Sequence, residues 1–180
     1  MKNYEKLFDA TAYLLYLNNK TMNYTVLIKE LYFADRESLK KTRFSITGDT
    51  YYSMRQGPVL STLYDLIKGT CKQKDYQEKW NELFVKKGYC ISIIKDNYNR
   101  KSLSRNEQKI LESYSNMFKG MDWKEVVDKY AHNSDFCPEW EKVYLNRRKP
   151  LTLERILTSS GFSKEETKIA VEENNYYATC

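Results

Sequence analysis

The sequence predicts an α+β fold in which helices prevail, a compact helical domain carrying a small antiparallel sheet of about three short strands. Three observations carry that expectation. Apolar residues recur at three- and four-residue spacing along much of the 180 positions, the period of a helix with one buried face. Only 6 Gly and 3 Pro are present, too few turn-formers for a multi-turn all-β chain. β-Branched and aromatic residues gather in a few short runs, where a pleated surface suits them. Charged residues of both signs make up 30% of the chain, a balance that suits a folded protein rather than a disordered one. The length fits one domain over residues 1–180, with 162–180 as a C-terminal helical extension, and suffices for a core without disulfide staples.

The elements follow in order. Tyr4, Leu7, Thr11, Leu14 and Leu17 predict an amphipathic helix over 3–18. Leu27, Ile28, Leu31, Ala34 and Leu39 predict a second over 24–41, capped by Asn23 or Thr21. Residues 46–50 form a tight turn in which Gly48 permits a positive φ. Residues 50–54 then read as a short strand. Gly57-Pro58 ends that strand and opens the next helix, since proline is tolerated in a first helical turn. That helix shows Leu60, Leu63, Tyr64 and Ile67 on one face and stops at Gly69.

Residues 70–82, with Tyr76 and Trp80 among charges, read as a loop or a short helix. Residues 83–85 and 89–94, joined through Lys86-Lys87-Gly88, form a β-hairpin that makes three strands with 50–54. Beyond it, helix starts are legible from their caps. Ser104 with Glu107, Asp122 with Glu125, and Ser163 with Glu166 each pair a short polar side chain with a glutamate three residues on. The first precedes Ile110, Leu111, Tyr114 and Met117; the second precedes Val126, Val127 and Tyr130. Pro138 opens a short helix through Trp140 and Tyr144, and Gly161 ends a turn around Leu153, Ile156 and Leu157.

Several function classes find no support. No run approaches the ~20 apolar residues of a membrane span, and the first residues lack a signal-peptide pattern. Cys71, Cys90, Cys137 and Cys180 are scattered with no Cys-x-x-Cys pair, so they read as reduced thiols in a cytoplasm rather than as disulfide or metal ligands. One histidine, His132, leaves little for acid–base chemistry, and neither a nucleophile elbow nor a phosphate-cradling glycine loop occurs. The expectation is a protein that is not an enzyme and holds no cofactor or metal. The net charge of +6 leaves nucleic acid open as a partner without requiring it.

Asp35 shares a face with Leu31 and is either a functional acid or a buried, hydrogen-bonded partner of backbone or arginine. The segment holding Tyr51, Tyr52, Met54, Arg55, Gly57 and Pro58 concentrates side chains that favour interfaces. One of its two alternating faces is core; the other is a contact candidate. His132 lies after a helix, with Trp140 close behind, as a capping or packing residue. Lys86-Lys87 at the hairpin tip and the basic run 146–149 are the candidates for phosphate contact.

These residues carry a family resemblance. Leu31-Tyr32-Phe33-Ala34-Asp35, then Gly48-Asp49-Thr50-Tyr51-Tyr52 and Gly57-Pro58-Val59, then Ser104 with Glu107, and His132 ahead of Pro138 and Trp140, occur in an order that resembles the Panacea (SocA-like) domain over roughly residues 5–160. Glu30 stands where the resemblance leads one to expect leucine, and the spacing from His132 to Trp140 is stretched. The resemblance implies an antitoxin of a bacterial or phage toxin–antitoxin system that neutralises a cognate toxin by direct contact. It also implies an adaptor role toward a Clp-type protease, with Tyr32, Asp35, Gly48, Asp49, His132 and Trp140 as structural or binding residues. A positively charged toxin would require an acidic patch, which Glu165, Glu166, Glu172 and Glu173 supply. The alternative is a winged-helix-like DNA-binding transcriptional regulator that uses the basic hairpin and run 146–149.

Overall fold

The architecture comes from a computed structural model, which describes residues 4–94, 101–145 and 147–179. It is helical for the most part, as the sequence predicts, with two small antiparallel sheets of three strands each. At its centre runs α2 (Tyr24–Thr42). Asn23 caps it, its side chain accepting from the N–H groups of Thr25 and Val26, and Arg43 ends it in the left-handed conformation. From Val26 to Asp35 every residue of α2 is buried, as befits a helix packed on all sides. α1 (Tyr4–Leu17), α5 (Arg105–Met117) and the strand β3 (Gly57–Leu60) pack against it. Phe33 gathers Tyr114, Phe118 and Phe136 around one face, with ring centroids 5.1–6.1 Å apart, the tilted and offset geometry that aromatic quadrupoles favour.

The first sheet joins β1 (Thr21–Asn23), β5 (Cys90–Ile93) and β4 (Phe84–Lys87) in the order β1-β5-β4. The second joins β3, β2 (Tyr51–Met54) and β6 (Lys149–Leu151) in the order β3-β2-β6. This corrects the expected pairing of 50–54 with the hairpin. The free edge of that hairpin is taken by Thr21–Asn23, a segment too short to show a periodicity. β2 instead folds back on its own continuation, with Tyr51 opposite Leu60 and Met54 opposite Gly57.

Pro58 therefore sits in a strand and not in a first helical turn. The strand is at the sheet edge, where a missing N–H is tolerated. α3 (Ser61–Lys68) begins three residues later, and α4 (Lys74–Leu83) fills the ambiguous stretch. The expected short helix after Pro138 is absent; residues 138–144 are turn and irregular chain. Glu139 and Trp140 there are drawn to distant partners, described below, that a local helix would not let them reach. α6 (Trp123–Val126) is likewise short and passes directly into a π-helical turn, Val127–Ala131. α7 (Leu153–Ser159) and α8 (Lys164–Thr179) complete the chain, and Thr167 and Ala170 of α8 are buried. Among the described residues, no helix is long and apolar enough to cross a membrane.

Candidate functional site

The site is built around the tight turn Arg55-Gln56 between β2 and β3. Both residues of the turn are exposed, and two backbone carbonyls at its base are held from outside. The indole Nε1 of Trp140 donates to Met54 O at 3.0 Å, and His132 Nε2 meets Arg55 O at 3.0 Å. A carbonyl only accepts, so Nε2 carries the proton in that contact. The two rings stack on each other, 4.2 Å between centroids and 16° between planes. The π-helical turn delivers the imidazole: His132 N donates five residues back to Val127 O, at 2.8 Å, where an α-helix would bond four back.

Gly57 lets the parts close up. At φ +99° it adopts a backbone shape that side chains resist, and a Cβ placed there would lie 2.6 Å from Ala131 Cβ and 3.2 Å from Lys29 Nζ. Beneath it, Lys29 is almost fully buried and donates to Pro58 O at 2.7 Å. Burial without an anion disfavours its charged form and draws its pKa down to about 7. Burial likewise lowers the pKa of His132, so a neutral imidazole with Nε2–H fits the contact to Arg55 O.

A cavity of about 610 Å³ opens beside this arrangement. Lys29 and Ile28 from α2, Met54, Arg55 and Gln56 from the turn, and Trp123, Lys124 and Val127 contribute to its wall. A second hollow, of about 700 Å³, continues from it and shares Arg55, His132 and Leu145. Its rim carries the exposed Tyr144 and Leu145, the latter at φ +59°, a conformation uncommon for a branched apolar side chain.

The other motif residues hold the frame. Asp35 is buried and accepts from Ile46 N, Thr47 N, Thr47 Oγ1 and Tyr51 OH, which fixes the loop into β2. Burial raises its pKa to about 6 while these donors pull the other way, so it is ionised at neutral pH. Gly48, at φ +65°, turns the chain toward Asp49. The Asp49 carboxylate accepts from Thr62 N and Leu63 N, capping α3, whose own N-cap residue Leu60 has no side-chain oxygen to offer. Tyr32 OH and Arg36 Nη1 both donate to the buried Glu139, at 2.7 and 3.0 Å. Arg36 also donates to Phe136 O, which anchors the segment that carries Trp140.

The contact segment thus divides. Tyr51, Gly57 and Pro58 are buried, so they support the turn rather than meet a partner; Tyr51 has its hydroxyl on Asp35. Tyr52 and Met54 are half-buried and Arg55 is exposed, and Met54 and Arg55 reach the cavity. The basic run has spent charge within the fold: Arg148 pairs with Asp65 and Lys149 with Glu141, while Asn146 lies outside the described residues. Lys86 and Lys87 are exposed at the hairpin tip. Of the four α8 acids, Glu166 is engaged in its cap, Glu172 lies 4.0 Å from Lys168 and Glu173 pairs with Arg43. Arg43 lies at the far end of α2 from the cavity, about 20 Å from Lys29 at 1.5 Å per residue.

Sequence reasoning missed Lys29, Trp123, Lys124, Glu139 and Leu145 as site or frame residues. Glu139 bonds partners more than a hundred positions away, so no local signal marks it. Cys71 and Cys90 are half-buried and Cys137 is buried, its thiol pushed up to about 12 by burial; Cys180 lies outside the described residues.

Compared with known families, residues 27–141 match the one described as antitoxin SocA-like, Panacea domain. Those bounds include α2 from Leu27 on, the β2–β3 turn, the π-helical turn and Trp140. The comparisons with curated proteins and with solved structures give no match.

Proposed function

The chain belongs to the SocA-like Panacea antitoxin family, and from that premise we propose that it neutralises a cognate toxin by binding it directly, without an enzymatic reaction. The family match over more than half of the chain is the observation that carries this reading. The docking face in this proposal is the cleft around the Arg55-Gln56 turn. It is concave, exposed and mixed in polarity, and its backbone is held by residues from three distant segments, the preorganisation that lowers the cost of binding a protein. A Clp-type protease is a second partner in this reading, receiving the toxin from the antitoxin.

Co-expression with the product of the neighbouring reading frame tests the proposal. The neighbour alone arrests growth, the pair grows, and the two chains co-purify. A neighbour that is harmless alone, or that stays toxic beside an abundant, folded partner, overturns the reading. The toxin's lifetime in cells with and without the Clp protease decides the delivery role, which fails if that lifetime is unchanged.

A further inference from the structure

Among the described residues, the cleft lining carries more basic than acidic side chains. Lys29, Arg55 and Lys124 line the cavity and Lys142 lines the adjoining hollow, while Asp128 is the one acid in either lining among the described residues. Elsewhere the basic side chains at these edges are matched, Arg148 by Asp65, Lys149 by Glu141 and Lys129 by Glu125. Arg55, Lys124 and Lys142 make no ion pair among the described residues; Lys124 lies only over the Trp123 ring and Lys142 over the Tyr144 ring. Lys29 is the strongest sign. Its ammonium offers three donors, is 1% exposed, lines the cavity and spends one hydrogen bond, on Pro58 O. An anion brought to an amine so placed favours the charged form that burial disfavours.

The walls narrow the choice of anion. Tyr24, Ile28, Val59, Trp123, Val127 and Leu145 surround those charges with apolar surface. A nucleic-acid backbone favours an open basic track, whereas a concave apolar wall with converging cations suits one side chain and its neighbour from a protein. We propose that the cleft is a carboxylate site: it receives an aspartate or glutamate of the toxin, presented beside an aromatic or aliphatic residue that fills the apolar wall. The carboxylate meets Arg55 and Lys124 on entry and faces Lys29 within. The toxin's identity as the source of that carboxylate rests on the antitoxin reading, but the chemistry of the site does not.

The full-length protein is titrated with 3-phenylpropionate, which joins a carboxylate to an aromatic ring, and with its neutral amide, while backbone and indole NMR signals are followed. The acid binds saturably, shifts the signals of Trp123, His132 and the Arg55-Gln56 turn, and binds at least about tenfold more tightly than the amide. An Arg55→Glu, Lys124→Glu double variant, altered only at exposed positions, loses that advantage while its other signals stay in place. Lys29→Met loses it as well if it folds. Equal affinity for acid and amide, or shifts confined to other surfaces, overturns the site. Inorganic phosphate binding there as tightly as the acid overturns the requirement for an apolar neighbour. If growth rescue and co-purification survive in the double variant as in the wild type, the carboxylate site is not the docking point and the antitoxin reading still stands. If the neighbouring product proves harmless while the acid still binds, the antitoxin reading falls and the site stands.

Discussion

Replacing Glu30 tests how the central helix tolerates a carboxylate in the core. Glu30 is 1% exposed, its Oε2 has no hydrogen-bond partner among the described residues, and burial pushes its pKa from the ordinary 4.5 up to about 8. A raised acid pKa means that the folded chain keeps a proton the unfolded chain releases. Stability from this group is complete below about pH 4.5, falls as pH rises, and levels off above about 8. Each pH unit in that window costs about 1.4 kcal/mol, so by neutral pH roughly 3 kcal/mol has gone. Glu30→Gln keeps the size and cannot ionise, so it escapes the loss; Glu30→Leu also removes the unpaired polar atom. Urea unfolding of wild type and Glu30→Gln from pH 5 to 8 measures the effect. Taking the difference between the two cancels the opposite trend from Lys29, whose lowered pKa makes stability rise between about 7 and 10.5, and the smaller fall from Asp35. The advantage of Glu30→Gln grows by about 3–4 kcal/mol across that range. A difference that does not change with pH refutes the argument.

Two further substitutions test the turn. Gly57→Ala forces a Cβ against Ala131 at a positive φ, and costs about 2–4 kcal/mol of stability by urea unfolding; a cost under about 0.5 kcal/mol shows that the close approach is not real. Trp140→Phe keeps an aromatic ring beside His132 but removes the hydrogen bond to Met54 O, costing about 1 kcal/mol, and amide exchange in the Arg55-Gln56 turn speeds up while exchange in α5 does not. Unchanged exchange in the turn argues against the clamp.

Much of the helical frame was readable because its causes are local. The caps at Ser104, Asp122 and Ser163 need only four consecutive residues, and each forms its paired hydrogen bonds in the structure. Strand pairing was not readable, because it is a competition between edges. The hairpin chose the three residues before α2, and β2 chose its own continuation together with residues 149–151. The site fell between these cases. The motif order pointed to His132, Trp140 and the segment from Tyr51 to Pro58, but not to which of these residues reach solvent. Lys29 shows why. One helical position from a full core stripe, it reads as a surface lysine until Pro58 and Gly57 are laid over it.

The contacts that hold the turn span large stretches of chain: 77 positions from Arg55 to His132, 86 from Met54 to Trp140. Its third strand, Lys149–Leu151, joins β2 from nearly a hundred positions further along. Long loops must close before such contacts return any free energy, as they must for the contacts of α1 with α5, which span about a hundred positions. During synthesis, from the N-terminal end, α1, α2 and the first sheet have all their parts before His132 is made. Through that interval most core elements exist, and the residues that complete the cleft do not. A chain cut between Phe118 and His132 thus carries most of the hydrophobic core residues but lacks the side chains that finish the cleft.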